Sequence, residues 1–324
     1  MTRLRAWHLV AGTAALAVLA AWSLFVGVSD LTLAGLLDGR PDDVRVLVES
    51  RLPRLVAILL AGTAMSVAGL VMMHLVGNRF VTPSTAGTTE SATFGVLVAT
   101  LLAGGEALIV KMAMAVAFAL LGTFFFMAVL RRLTFRDMML VPLAGIMFGG
   151  VIGAATMFVA YRADLLQSLG AWTAGDFSGV LRGRYELLWI AGAVTVLGYL
   201  YADRFTVAGL GRSFAINLGV RYDRVVNTGL VLAAVITAVV VVTVGEVPFV
   251  SLIVPNLVTM ALGDNLRYAL PATALTGALF VLLCDILGRV VRFPYEIPVS
   301  TVLGVIGSAV FLTLLGGGKR MGLR

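Results

Sequence analysis

Residues 51–92 read RLPRLVAILLAGTAMSVAGLVMMHLVGNRFVTPSTAGTTESA, and this stretch decides the fold. Arg51 and Arg54 stand one helical turn apart at the mouth of an apolar run that reaches Val76. A helix of about 20 apolar residues is long enough to cross the hydrocarbon core of a bilayer. The run ends in a polar loop that holds Asn78, Pro83 and Gly87, residue types that end helices and shape irregular backbone. A charged edge, a membrane span and an irregular segment at its far end therefore follow one another within 42 residues.

The pattern extends along the whole chain. Of its 324 residues 60% are hydrophobic and 13% charged, and the mean hydropathy is +1.02. A soluble domain of this size carries roughly 25% charged residues. Apolar runs predict spans at 7–28, 53–76, 90–104, 107–130, 141–161, 187–201, 226–244, 250–262, 270–290 and 299–316. The expected fold is thus all-α: one polytopic transmembrane domain over 1–324, with ten helices and both termini on the same side. The spans 90–104 and 250–262 are short for a full crossing and are expected to start within the membrane or to be shielded by neighbours. The first run resembles a signal peptide only superficially. It is too long and no polar cleavage region follows, so a retained span is expected.

Charge orients this arrangement. With the N-terminus inside, the inner segments carry fourteen basic residues against five acids, a net of +9, and the outer segments carry −2, together the +7 of the chain. Basic residues gather on the cytoplasmic side of membrane proteins, so both termini are expected to be cytoplasmic. The net charge reflects topology, and no nucleic-acid partner is expected. Cys284 is the lone cysteine, which excludes an intrachain disulfide and a cysteine metal site. His8 and His74 lie far apart without metal-ligand spacing.

Several segments carry functional signals. The longest inner segment, 202–225, contains Gly211 to Leu218, which can form a short amphipathic helix that Gly219 is placed to end. Such a helix could receive a push from a partner or simply lie on headgroups. GLGRSFA imitates part of a dinucleotide fingerprint but has no βαβ frame around it. On the outer side, Leu165 to Trp172 can form a helix parallel to the membrane. Asp285 and Arg289 are spaced i, i+4, which allows an intrahelical ion pair or leaves Arg289 as a docking charge. RFPYEIPVS contains two prolines that force a stiff turn into the last span. Small residues crowd the second span (Gly62, Ala64, Ser66, Ala68, Gly69) and the fifth (Gly145, Gly149, Gly150, Gly153), which suits close helix packing or, in the fifth, a pathway lining. No GxxxxGK[ST] sequence and no catalytic constellation occurs, so transport is favoured over chemistry, and ATP, if used, binds another chain.

Over nearly its whole length the chain resembles the FecCD/BtuC family, the permease subunits of type II ATP-binding cassette importers for iron siderophores, haem and vitamin B12. RLPR at 51–54, the Asn-x-Phe-x-x-Pro-x-x-x-Gly pattern at 78–87, LAG at 143–145, LG…LGV at 210–220, FVSLIVPN at 249–256 and EIPVS…GVIGS at 296–308 fall in the family's order. NRFVTPSTAGTTESA, LGAWTAGDFS, FTVAGLG, LGDNLR and CDILGR are most similar to the branch for ferric catecholate-type siderophores, the anguibactin, petrobactin and enterobactin-related systems. Arg79 and Asn256 replace a proline and a histidine of the vitamin B12 pattern.

The resemblance implies roles by position. Arg51, Arg54 and Arg289 match outer arginines that meet glutamates of an extracytoplasmic binding protein. Asn78 and Phe80 match one cytoplasmic gate, and Met138 and Met139 fall where the other lies, although small polar residues are usual there. Gly211, Arg212, Ser213, Phe214, Ala215, Asn217, Leu218 and Gly219 match the helix that couples to the ATPase, within a segment of about 205–224. Arg212-Ser213 stands where that helix usually has an acidic pair. The fifth and tenth spans would line a path at a dimer axis. The implied partners are a second copy or a paralogous permease, two ATP-binding subunits, a siderophore-binding protein, the ferric siderophore and the bilayer of a bacterial cytoplasmic membrane. No metal or cofactor is expected on this chain, since ATP and Mg belong to the ATPase. Competing readings are an ion-coupled secondary transporter, which needs acids at the midplane, a permease for haem or cobalamin, and a membrane enzyme. Glu90 and Asp285 are placed near span ends, which counts against the first.

Overall fold

The computed structural model describes residues 6–27, 32–103, 108–132 and 140–317, and no strand occurs among them. Ten long helices stand where the apolar runs place them: α1 (Ala6–Phe25), α2 (Leu52–Val76), α3 (Thr88–Ala103), α4 (Leu108–Arg132), α5 (Leu140–Arg162), α6 (Leu188–Leu200), α7 (Tyr222–Val244), α8 (Val250–Leu262), α9 (Leu266–Val290) and α10 (Val299–Gly317). Among the described residues, five helical stretches are long and apolar enough to cross a membrane alone. A sixth crossing comes from α6 with the short helix Ala202–Gly209, bent by 63°, and four shorter apolar helices complete the set. By the charge asymmetry, the Arg51 end of α2 is the outer end and its Gly77 end the inner one.

The central helix is α2. The helical stretch that contains it runs unbroken from Pro41 to Val76, and Pro53 stands just after a π-helical turn, Leu47–Arg51, whose wider winding accommodates a residue without an N–H. Gly77 ends it in the left-handed region at φ +68°, and the Gly77 and Asn78 amides return to the carbonyls of His74 and Met73. Most of α2 is buried, on every face. Helix α9 runs antiparallel to it: Arg54 meets Asp285 at the outer end, Thr63 Oγ1 donates to the Ala274 carbonyl at 3.3 Å, and Gly62 lies against the backbone of Gly277. Lipid tails are as apolar as leucine, so this pair gains from backbones brought close by small residues rather than from exclusion of water.

The two short helices, α3 and α8, start inside the bundle. Gly69, seven residues before the end of α2, packs against the Ser251 carbonyl in the first turn of α8. At 1.5 Å per residue this puts the start of α8 about 10 Å within the inner boundary. Gly122, ten residues before Arg132, packs on the Ser91 side chain in the first turn of α3, so the loop 78–87 has climbed about 15 Å back into the bundle by the start of α3. Glu90 corrects its assignment to an inner segment: it lies in the first turn of α3 with its carboxyl against Gly149, midway along α5. Hydropathy counts residues and cannot see a loop that turns back.

The packing at Gly69 is backbone against backbone, so nothing flexible can move aside for a Cβ. Gly69→Ala should cost about 3 kcal/mol or more, at the upper end of overpacking. A clearly lowered melting temperature and yield in detergent are expected, whereas Gly170→Ala, where a Cβ meets nothing within 4 Å, should match the parent.

Candidate functional site

At the outer end, three arginines converge on two acids. Asp285, fully buried in α9, takes Arg54 Nη2 at 2.8 Å on one carboxylate oxygen and Arg289 Nη2 at 2.5 Å on the other. Arg54 uses Nη1 to reach Glu296 at 2.8 Å, in the turn that leads into α10. Arg289 Nη1 donates to the carbonyls of Ser23 (2.9 Å) and Val26 (2.8 Å), its Nη2 to Ser23 Oγ, and Arg51 Nη1 also donates to the Val26 carbonyl. The frayed carbonyls at the C-terminus of α1 thus find cationic donors. The structure brings together Arg51, Arg54 and Arg289, as the sequence suggests, but as a buried cluster: their exposures are 7%, 8% and 2%. This differs from a free charged edge. The i, i+4 pair of Asp285 and Arg289 forms, and Glu296 and Ser23, to which sequence reading assigned no role, complete the cluster.

At the inner end, the Asn78 side chain folds back to accept the Phe80 amide at 2.9 Å, and Asn78 is buried. The loop then satisfies itself. Thr85 Oγ1 donates to the Phe80 carbonyl (2.8 Å) and accepts from the Thr82 amide (2.8 Å), while the Ala86 amide donates to the Thr82 carbonyl (3.0 Å). Irregular backbone persists at membrane depth only with such internal partners. The Phe80 ring meets Phe311 of α10 edge-on, with centroids 6.2 Å apart. Asn256 Nδ2 donates to the Arg79 carbonyl at 2.9 Å and so ties α8 to the loop. His74 is structural: its ring nitrogens lie 3.0 Å from the Asp264 carbonyl and 3.1 Å from that of Leu70. Met138 and Met139 lie outside the described residues.

The inner segment forms a ledge. A helix spans Arg212–Asn217, between Gly211 at φ +103° and Gly219 at φ +77°. Gly219 ends this helix as the sequence suggests, whereas the preceding helix Ala202–Gly209 lies outside the apolar runs and gives hydropathy no signal. Ala215 is buried, and Leu210, Phe214, Ile216 and Leu218 are more than half exposed, with Ser213 and Asn217 exposed beside them. Arg212 bonds Asp223 at 3.1 Å, which fastens the ledge to the first turn of α7. On the outer side, the helix Leu166–Thr173 matches the expected surface helix.

A multi-pass helical bundle with a re-entrant loop and an exposed ledge at one end has the architecture of a membrane transport domain. The chain belongs to the FecCD transport family, whose model matches residues 15–316. It is 47% identical over 300 residues to the petrobactin import system permease protein YclN of Bacillus subtilis (strain 168), covering 93% of this chain and 95% of that one. It is 39% identical over 302 residues to the ferric-anguibactin transport system permease protein FatD of Vibrio anguillarum, covering 93% and 96%. The vitamin B12 import permease BtuC of Vibrio cholerae is more distant, at 28% over 295 residues, covering 90% and 89%. In fold, the chain matches a metal-chelate type ABC transporter solved in an inward-facing conformation, with TM-score 0.82, 24% identity and coverage of 96% and 99%.

The outer cluster makes a stability test. Asp285→Asn leaves two buried guanidiniums without their shared countercharge and should cost about 3–5 kcal/mol. Glu296→Gln removes a partner that is 27% exposed and should cost far less. Thermal unfolding of the purified protein should show the large shift for the first substitution only.

Proposed function

We propose that this chain is the permease subunit of an ATP-binding cassette importer that moves a ferric siderophore, of the catecholate-bearing kind, across a bacterial cytoplasmic membrane. The observation that carries this reading is the similarity, over more than nine-tenths of both chains, to permeases named for petrobactin and ferric anguibactin. Vitamin B12 as cargo is less favoured, because that relative is more distant.

The geometry supports each step. The outer cluster holds three guanidiniums against two carboxylates, a local excess of +1, which attracts an acidic binding protein as a patch rather than through free arginine tips. Two copies of the chain, or this chain and a paralogue, enclose the path. Exposed apolar residues on α5, among them Ile146, Met147 and Val151, and open space beside Gly150, Gly153 and Gly304 leave room for a second subunit. Asn78 and Phe80, with Phe311 behind them, close the inner end, and Met138 and Met139 are assigned to the second part of that gate. The ledge Gly211–Gly219 offers Phe214 and its apolar neighbours to an ATPase subunit, which binds ATP and Mg. Closure of the ATPase pair pushes the ledge and favours one access state over the other.

Iron uptake into vesicles that contain the permease, the ATPase and the cognate binding protein tests the reading. ATP-dependent uptake of ferric catecholates, above ferric hydroxamates and cobalamin, is expected, and uptake driven by an ion gradient without ATP would overturn it. Phe214→Glu places a charge where an apolar contact is proposed. It should weaken ATPase association by about thirtyfold, the scale of an interface hot spot, and depress uptake while membrane insertion stays normal. Unchanged co-purification would count against the coupling role.

A further inference from the structure

A cavity of about 390 Å³ opens at the outer end of the bundle, between α3, α4, the C-terminus of α7 and the segment that follows the helix Leu166–Thr173. Neither α5 nor α10 contributes to it, so it stands apart from the proposed path at a dimer axis. Its size lies within the range of small-ligand sites. Its lining is divided. Val96, Leu108, Val241 and Val242 supply an apolar wall, and Lys111, Arg184, Asp176 and Ser178 supply a polar rim.

The charges of the rim do not cancel. Lys111 sits in the first turn of α4, its Nζ 5.5 Å from the centre of the Trp172 ring, and among the described residues no carboxylate lies within ion-pair distance of it. Arg184 is exposed and likewise has no ion-pair partner among the described residues. Among the described lining residues the acid is Asp176, and it is turned to Ser178, whose amide and hydroxyl donate to its two oxygens at 2.9 and 2.5 Å. An ionisable group in a membrane span is costly, and where it is kept it marks a site with its own partner. Tryptophan beside a lysine at the end of a span lies at headgroup level, with its ring in the apolar zone and its N–H toward water.

We propose that this cavity binds the head of an anionic phospholipid of the outer leaflet. Lys111 and Arg184 take the phosphate, Trp172 covers the glycerol region, and the valine wall receives the first methylenes of an acyl chain. The chemistry that recognises the ligand is a phosphate anion next to an apolar stem. A basic pocket between membrane helices suits such a head group, whereas a zwitterionic head brings its own cation to compete for the phosphate.

The test is a fluorescence titration of the purified full-length permease in detergent with dihexanoyl phosphatidylglycerol, dihexanoyl phosphatidylcholine and inorganic phosphate. Trp172→Phe identifies the part of the signal that comes from this cavity. A saturable Trp172 response to phosphatidylglycerol alone is expected, weakened about thirtyfold in Lys111→Ala/Arg184→Ala, at about 1 kcal/mol for each cation, and largely retained in Lys111→Arg. Native mass spectrometry should show one tightly held phosphatidylglycerol per chain lost in the double variant. Matching melting temperatures of variant and parent separate loss of the site from loss of the fold. An equal response to inorganic phosphate would make this a free-anion site and overturn the lipid assignment. An equal response to phosphatidylcholine, or one unchanged in the double variant, would overturn the site altogether.

Discussion

The outer half of the molecule depends on the carboxylate of Asp285. It is fully buried and is shared by two guanidiniums, one from its own helix and one from α2. A charge taken out of water is tolerated only when its partners come with it, and here each partner brings a further element. Arg289 brings the end of α1 through Ser23 and Val26, and Arg54 brings the turn before α10 through Glu296. Four helices from distant parts of the sequence are therefore held at one point. Hydrophobic packing cannot supply such a point between helices that already lie in an apolar solvent.

Below that point the helices are held by closeness. Gly62, Gly69 and Gly277 bring the backbones of α2, α8 and α9 into contact, and Ser66 returns its hydroxyl to the Gly62 carbonyl at 2.7 Å rather than facing lipid. The outer charge cluster selects which helices meet, and the glycines set how near they come. The two requirements meet in α2, which explains why that helix is buried on all sides while α4 and α5 keep broad faces exposed.

Much of this was legible in the sequence. The ten helices follow from apolar run lengths, which the bilayer itself enforces. The C-terminal end of the ledge follows from Gly219, whose positive φ angle is a local property. The i, i+4 pair of Asp285 and Arg289 was visible for the same reason. What could not be read is long-range. Arg54 finds its partner 231 residues away, and nothing in RLPR announces that its guanidinium points inward. Glu90 was misplaced because the depth of a re-entrant loop depends on what it packs against, in this case Gly149. Asn256 was noticed as a departure from a family pattern, but its bond to the Arg79 carbonyl became visible only once α8 and the loop were side by side.

The hydrogen bonds of the loop 78–87 have one more consequence. Because Thr82 and Thr85 close the loop's polar groups upon themselves, it behaves as a small stiff plate bounded by Gly77 and Gly87, both in left-handed backbone at φ +68° and +74°. A plate of this kind keeps its amides satisfied at membrane depth. It is also held from several sides: Val81 and Ala86 are fully buried, the Thr85 carbonyl lies against Gly145 of α5, Gly87 lies against Phe148 of α5, Asn256 of α8 bonds the Arg79 carbonyl, and Phe80 meets Phe311 of α10 edge-on. Any displacement of the loop would have to carry parts of α5, α8 and α10 with it, which makes the inner end of the bundle one mechanical unit rather than a flap on a fixed frame.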